Sequence, residues 1–186
     1  MRIARKLSTD QENMQRFLTV LGGGMIALSN NNKLARPAFF TMAHTFIRDY
    51  IEGGFFKKEE LLIQSLRDIG FPDDDGPIGF MRSEQSKSHE AAVHLINAAE
   101  QWQAGDESAR VELGWAASEY TSTLRQHLDR LKNLIFPLLE QNIPIEEEHK
   151  LSDKVDALIT DENLKINSEK YDKLIVNLEE ELSDWR

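Results

Sequence analysis

The residues of this chain that could do chemistry are mostly histidines and carboxylates. The chain has 186 residues, with five histidines, 32 Asp and Glu and no cysteine. The lack of cysteine excludes disulfides, thiolate metal sites, iron–sulfur clusters and a cysteine nucleophile. Serine, histidine and aspartate are present without a nucleophile-elbow pattern, and Gly22-Gly23-Gly24 is not followed by the Lys-Ser/Thr pair of a phosphate-binding loop. Histidine therefore remains as the soft metal ligand, and no hydrolase or nucleotide site is predicted.

His127 lies on the inward face of a predicted helix, among apolar residues three or four positions apart. That face consists of Tyr120, Leu124, His127, Leu131, Leu134, Ile135 and Leu138. Three earlier stretches have the same period. Their inward residues are Asn13, Phe17, Leu21, Gly24, Met25 and Leu28; then Phe40, His44, Ile47, Ile51, Phe55, Glu59, Leu62 and Leu66; then Met81, Gln85, Ser88, His89, Ala92, Ile96 and Ala99. Gln85 is thus expected to point inward, as His127 does.

Start and stop signals bound these helices. The first is expected to begin at the capping box Thr9-Asp10-Gln11-Glu12. Pro37 suits the first turn of the second, which ends near Gly70. Gly76-Pro77 opens the third, which runs to about Gln103. Four amphipathic helices with short loops predict an all-α, up-down-up-down four-helix bundle.

Two shorter amphipathic segments follow the bundle. The first is centred on Leu151 and Val155, and the second carries Tyr171, Leu174, Ile175, Leu178 and Leu182. We predict that they are helices packed on the bundle or on a partner. The chain is accordingly divided into a bundle over residues 1–145 and a C-terminal helical extension over residues 146–186.

The protein is acidic, with a formal net charge of -10, which disfavours binding to nucleic acid or to an anionic membrane surface. Its basic first residues are not followed by an apolar core, and no run approaches the length of a membrane span. The cytoplasm is therefore the expected location.

Three stretches in this order resemble the motifs of hemerythrin-like (HHE cation-binding) domains. They are FIRDYIEGGFFKKEE at 46–60, GPIGFMRSEQ at 76–85 and QHLDRLKNLIFP at 126–137. The resemblance covers roughly residues 10–140. It implies the bundle fold and, for the family, a pair of irons held by His-x-x-x-Glu pairs one helical turn apart and by further inward histidines.

The resemblance places the family's ligand positions on residues of mostly different chemistry. Only Glu59 and His127 keep a ligating type. The other positions fall on Asn13, Phe55, Gln85 and Leu131. Phe55 and Leu131 put apolar bulk where a donor atom is required, so the resemblance implies the fold and argues against its usual activity.

Two alternatives stay open for the histidines. Glu59 and His127 could form a residual mononuclear metal site, or a buried ion pair joined by Asn13 and Gln85. His44 and His89 could border a small pocket opposite Gly22-Gly23-Gly24, suited to a planar cofactor or a metal. The interpretation that we favour is core-edge histidines beside close-packed glycines. For the glycines themselves, close helix contact, a kink and an early helix end are all compatible with the sequence.

The sequence therefore predicts a non-enzymatic binding or regulatory protein with a degenerate di-iron site and no cofactor. The competing hypothesis is a protein that binds iron or manganese with an unusual ligand set and handles dioxygen, nitric oxide or metal, as the family resemblance implies. The partner, a protein or a small ligand, is not identified by the sequence. A homodimer is also compatible with it.

Overall fold

Helices account for all the regular structure in the computed structural model, which describes residues 2–159 and 162–186. In chain order they are α1 (Arg2–Ser29), α2 (Pro37–Phe46), the π-helical segment π1 (Ile47–Phe55), α3 (Phe56–Asp68), α4 (Gly76–Gln103), α5 (Ala109–Arg130), the π-helical segment π2 (Leu131–Ile135), α6 (Phe136–Asn142), α7 (Ile145–Ile159) and α8 (Glu162–Asp184). The predicted start of the second helix at Pro37 and the predicted end of the third helix at Gln103 are correct.

Four long helices form the bundle. The first is α1 and the third is α4. The second consists of α2, π1 and α3 in one continuous helix, and the fourth consists of α5, π2 and α6. α1 packs on α5, α5 on α4, and α4 on α2. The predicted inward faces meet in the core: Phe17, Leu21, Phe40, Ile47, Ile51, Met81, Tyr120 and Leu124 are all buried. The all-α, up-down-up-down bundle with additional C-terminal helices is therefore confirmed.

The glycine pair in the second long helix lies within π1 and does not break the helix. A Cβ at Gly53 would lie 3.0 Å from the carbonyl oxygen of Arg48, five residues earlier. Glycine thus lets this carbonyl approach closely in the wider π turn. The segment places Phe55 and, one turn later, Glu59 on the buried side of the helix.

The second π-helical segment ends at Ile135, directly before α6, whose first turn contains Pro137. Proline has no N–H to donate and its ring crowds the carbonyl four residues earlier, here that of Asn133. A wider turn just before the proline relieves this conflict, so the long helix continues through it.

The first helix begins at Arg2, so the predicted start at Thr9 is wrong. Ile3 and Leu7 are completely buried in the additional turns, which pack on α7. Lys6 Nζ donates to the carbonyl oxygen of Ser152 at 3.2 Å. These tertiary contacts stabilise helix upstream of the capping box, which is therefore not used.

α1 also runs without interruption through Gly22-Gly23-Gly24. A Cβ at Gly23 would lie 2.4 Å from Leu182 on α8, and one at Gly24 would lie 2.5 Å from the ring of Phe39. Of the alternatives left open by the sequence, close helix contact therefore applies.

The two C-terminal segments form helices of 15 and 23 residues, longer than the short helices expected. α7 packs on α1 and α3, and α8 packs on α1 and α2. The predicted apolar face of α8 is buried at Tyr171, Leu174, Ile175 and Leu178. Within the described ranges, none of the helices combines the length and apolarity that crossing a membrane requires.

Candidate functional site

His127 on α5 lies at the centre of a buried polar cluster between three helices. Its Nε2 is 2.6 Å from Oε1 of Glu59 on α3, and its Nδ1 is 2.9 Å from Oε2 of Glu84 on α4. The exposed fractions are 1% for His127, 0% for Glu59 and 6% for Glu84. Both ring nitrogens of the histidine are therefore occupied by carboxylates.

Two further side chains complete the bonding of these carboxylates. Gln85 Nε2 donates to Oε2 of Glu59 at 2.6 Å, and Arg130 Nε donates to Oε1 of Glu84 at 2.7 Å. All four carboxylate oxygens are thus hydrogen-bonded. We call Glu59, Glu84, Gln85, His127 and Arg130 the His127 cluster.

The bonding pattern favours a protonated His127. A neutral imidazole has one N–H, so it can donate to only one carboxylate, whereas the imidazolium donates to both. Burial lowers the pKa of His127, but the hydrogen bonds and charges of Glu59 and Glu84 outweigh burial and raise the pKa to about 9. Burial likewise opposes ionisation of Glu84, but His127 and Arg130 hold its pKa below the usual value. The imidazolium is therefore the form of His127 that this cluster stabilises at neutral pH.

Glu84 and Arg130 are the residues that the sequence did not assign to the site. Glu84 directly precedes Gln85, and Arg130 follows His127 by three positions, so both flank predicted site residues. The spacing of His127 and Arg130 places both on one side of a helix, which is a usable signal. Neither residue falls on a position of the predicted inward stripes, and for that reason both were missed.

The remaining positions aligned with ligands by the resemblance lie outside this cluster. Phe55, the last residue of π1, and Leu131, the first of π2, are buried at 1% and 0% exposure. Asn13 was expected to join Glu59 and His127 as one alternative, but its Nδ2 donates instead to Tyr50 Oη at 3.1 Å. Asn13 is therefore bonded to a residue of π1 and not to the cluster.

A second group of polar residues, which we call the Tyr50 cluster, comprises Asp10, Asn13, Tyr50 and Lys58. Tyr50 Oη donates to Oδ1 of Asp10 at 2.7 Å, and Lys58 Nζ donates to Oδ2 of the same carboxylate. Burial, followed by the charge of Asp10, raises the pKa of the Tyr50 phenol. These residues line a cavity of about 340 Å³, which extends to α8.

His44 and His89, the candidates for a separate pocket, are placed differently from each other. His44 is half-buried, and burial followed by the charge of Arg48 lowers its pKa. The side chain of His89 is 62% exposed, with Nδ1 3.0 Å from Oε1 of Glu52. The close contacts of Gly23 and Gly24 are made with Leu182 and Phe39, not with either histidine.

The donors present do not fit the pair of irons that the resemblance implies. In the part of the chain that the structure describes, no group of three or more histidines, aspartates or glutamates is arranged to hold a metal ion. A metal ligand must offer a lone pair, whereas both ring nitrogens of His127 already face carboxylate oxygens, those of Glu84 and Glu59. Phe55 and Leu131 offer no donor atom.

Comparison with protein families gives one finding that agrees with this fold. The model of the family described as hemerythrin HHE cation binding domain matches residues 3–139. Searches of curated proteins and of solved structures found no match. The match runs from Ile3 in α1 to Leu139 in α6 and so includes nearly all of the four long helices and the whole His127 cluster. The chain therefore belongs to the hemerythrin HHE cation-binding domain family.

Proposed function

We propose that this chain is a non-enzymatic binding or regulatory member of the hemerythrin family, in which a buried ion-pair cluster replaces the di-iron centre. The observation that supports the proposal is the bonding of His127, whose two ring nitrogens lie 2.6 and 2.9 Å from carboxylate oxygens. Both ring nitrogens of the one histidine that the resemblance aligns with a ligand are thus engaged by carboxylates.

Charge supports the same proposal. Binding a divalent cation through His127 would require the imidazolium to lose a proton and to break a hydrogen bond to Glu59 or Glu84. Arg130 already neutralises Glu84 at 2.7 Å. A metal ion would bring two positive charges next to this guanidinium, which opposes its entry.

The experiment is metal analysis of protein purified without chelator. We expect a colourless protein with substoichiometric iron and manganese. Thermal melts of the parent should be the same with added ferrous iron, added manganese or chelator, since a ligand stabilises only the state that binds it. A stoichiometric metal content, or an oxo-bridged di-iron absorption band, would overturn the proposal.

A restored variant provides the matched control. It carries four changes that return ligating types to the family positions: Asn13→His, Phe55→His, Gln85→His and Leu131→Glu. Without metal, these changes bury polar groups and a carboxylate that lack partners, so the melting temperature should fall well below that of the parent. With ferrous iron or manganese it should rise with metal concentration. A variant indifferent to metal would show that the family positions are misplaced.

One observation favours the competing function, an iron- or manganese-binding protein with an unusual ligand set. Glu59 and Glu84 each lie within hydrogen-bond distance of His127, at opposite ring nitrogens, and carboxylate and imidazole suit both metals. This candidate requires a deprotonated His127. The same metal analysis separates the two candidates, because only this one predicts bound metal at neutral pH.

A further inference from the structure

Two of the family ligand positions, Asn13 and Phe55, line the cavity beside the Tyr50 cluster instead of the His127 cluster. The cavity has a volume of about 340 Å³ and lies between α1, π1 with α3, and the C-terminal helices. Pockets for small ligands have volumes of about 300–1,000 Å³. π-helical segments are also frequent at functional sites, and π1 contributes Asp49, Tyr50, Gly54 and Phe55 to the wall.

One wall of the cavity is polar. It has N–H donors that are not used within the described residues, whereas its carboxylates already accept hydrogen bonds. Asp10 accepts from Tyr50 on one oxygen and from Lys58 on the other. Both oxygens of Asp49 accept from Arg48. By contrast, the ammonium group of Lys58 has three N–H bonds, and the amide of Asn13 has two. One bond from each is directed to a partner within the described residues. A ligand of this wall must therefore supply acceptors.

The other wall is apolar and aromatic. Phe55, Ile159 and Tyr171 line it, and the rings of Tyr50 and Tyr171 meet edge to face with centroids 5.8 Å apart. Such rings favour a flat apolar group by area burial and ring contact. Two lysines line the cavity, Lys6 and Lys58, and each already pairs with one carboxylate, Lys6 with Asp156 and Lys58 with Asp10. The lining therefore carries little net positive charge, which suits a ligand with one negative charge better than one with two.

We propose that this cavity binds a small carboxylate with a flat apolar body. The carboxylate accepts hydrogen bonds from Lys58 Nζ and Asn13 Nδ2, and the body packs against Phe55 and Tyr171. The proposal deepens the binding role proposed above by naming a ligand class. The absence of iron and the binding of a carboxylate are measured separately, so either can fail alone.

The test is isothermal titration calorimetry of the full chain, stripped of metal and dialysed. Three probes share one phenylpropyl skeleton: 3-phenylpropionate, 3-phenylpropanamide and 3-phenylpropylamine. We expect the carboxylate to bind, the neutral amide to bind about tenfold more weakly, and the amine to show no binding, because one charge-assisted hydrogen bond is lost or reversed. Inorganic phosphate, which lacks the apolar body, should not bind.

Variants locate the site. Lys58→Met keeps an apolar stem without the charge and should weaken 3-phenylpropionate binding about tenfold. Lys57→Met, at the neighbouring exposed lysine outside the cavity wall, is the matched control and should leave affinity unchanged. Asn13→Leu retains the ion pair of Lys58 with Asp10 and should also weaken binding, so it serves if Lys58→Met does not fold.

Three results would overturn the proposal. They are no heat of binding with 3-phenylpropionate at millimolar concentration, equal affinity for all three skeleton probes, and unchanged affinity in both cavity variants. Binding of phosphate as tight as that of 3-phenylpropionate would show that the apolar wall contributes nothing. Binding that Lys57→Met weakens as much as Lys58→Met would place the anion on the outer surface.

Discussion

The stability of this protein should depend on pH through His127. The pKa of the imidazole is about 9 in the folded chain and 6.5 as the ordinary value. A pKa raised by folding means that the folded state binds the proton more tightly. The stabilisation is therefore complete below about pH 6.5 and is lost as the pH rises through 9.

The size of this effect follows from the difference between the two values. The pKa difference of about 2.5, at about 1.4 kcal/mol for each pH unit, corresponds to about 3–4 kcal/mol of stability. The group is 1% exposed, so solvent screening does not reduce the figure much. Physically, the neutral imidazole above pH 9 leaves one of the two carboxylates facing a lone pair.

The assay is urea denaturation of the parent and of His127→Gln at pH 6, 7.5, 9 and 10. The glutamine does not titrate, so the difference in free energy of unfolding between the two proteins isolates the histidine. We expect that difference to shrink by about 3 kcal/mol between pH 6 and pH 10. His94→Gln, at an exposed histidine of α4, is the control, and its difference from the parent should stay nearly constant.

A parent–variant difference that is flat from pH 6 to pH 10 would refute the assignment of an imidazolium at position 127. A difference that grows with pH would mean that burial dominates and that His127 is neutral in the folded chain. Either result would also remove the main support for a metal-free site in which His127 is protonated.

Two further predictions concern packing. Phe55→Ala and Leu131→Ala should each lower the free energy of unfolding by about 2–5 kcal/mol in urea denaturation, because both side chains are buried; a loss well under 1 kcal/mol would show that they do not fill the core. Gly24→Ala should destabilise by about 1–3 kcal/mol through its clash with Phe39, whereas Gly22→Ala, with open space around it, should stabilise by up to about 1 kcal/mol. Equal shifts in melting temperature for the two alanine variants would contradict this reasoning.

Much of the bundle could be predicted because its four helices each carry a long apolar stripe. From Phe40 to Leu66 the stripe was predicted correctly across π1, since residues on one side of a long helix stay buried even where a turn is widened. The start of α1 could not be predicted in this way. The capping box at Thr9 is a local signal, whereas the burial of Ile3 and Leu7 depends on α7, which lies far away in sequence.

The candidate site was predictable in part for the same reason. Glu59, Gln85 and His127 interrupt apolar stripes and were identified as inward polar residues, and the structure brings all three together. Asn13 has the same pattern, yet it bonds to Tyr50. A stripe specifies the face on which a residue lies. It does not specify which of two neighbouring helices that residue contacts.

The sequence by itself determined the class of structure, since helical periodicity is local and residue types at the family positions can be read directly. It also determined that Phe55 and Leu131 cannot supply ligands, because an apolar side chain has no donor atom in any fold. Only the tertiary structure decided that His127 is bonded at both nitrogens and that Glu84 and Arg130 complete the cluster. Protonation and ion pairing depend on distances between helices, which no single helix encodes.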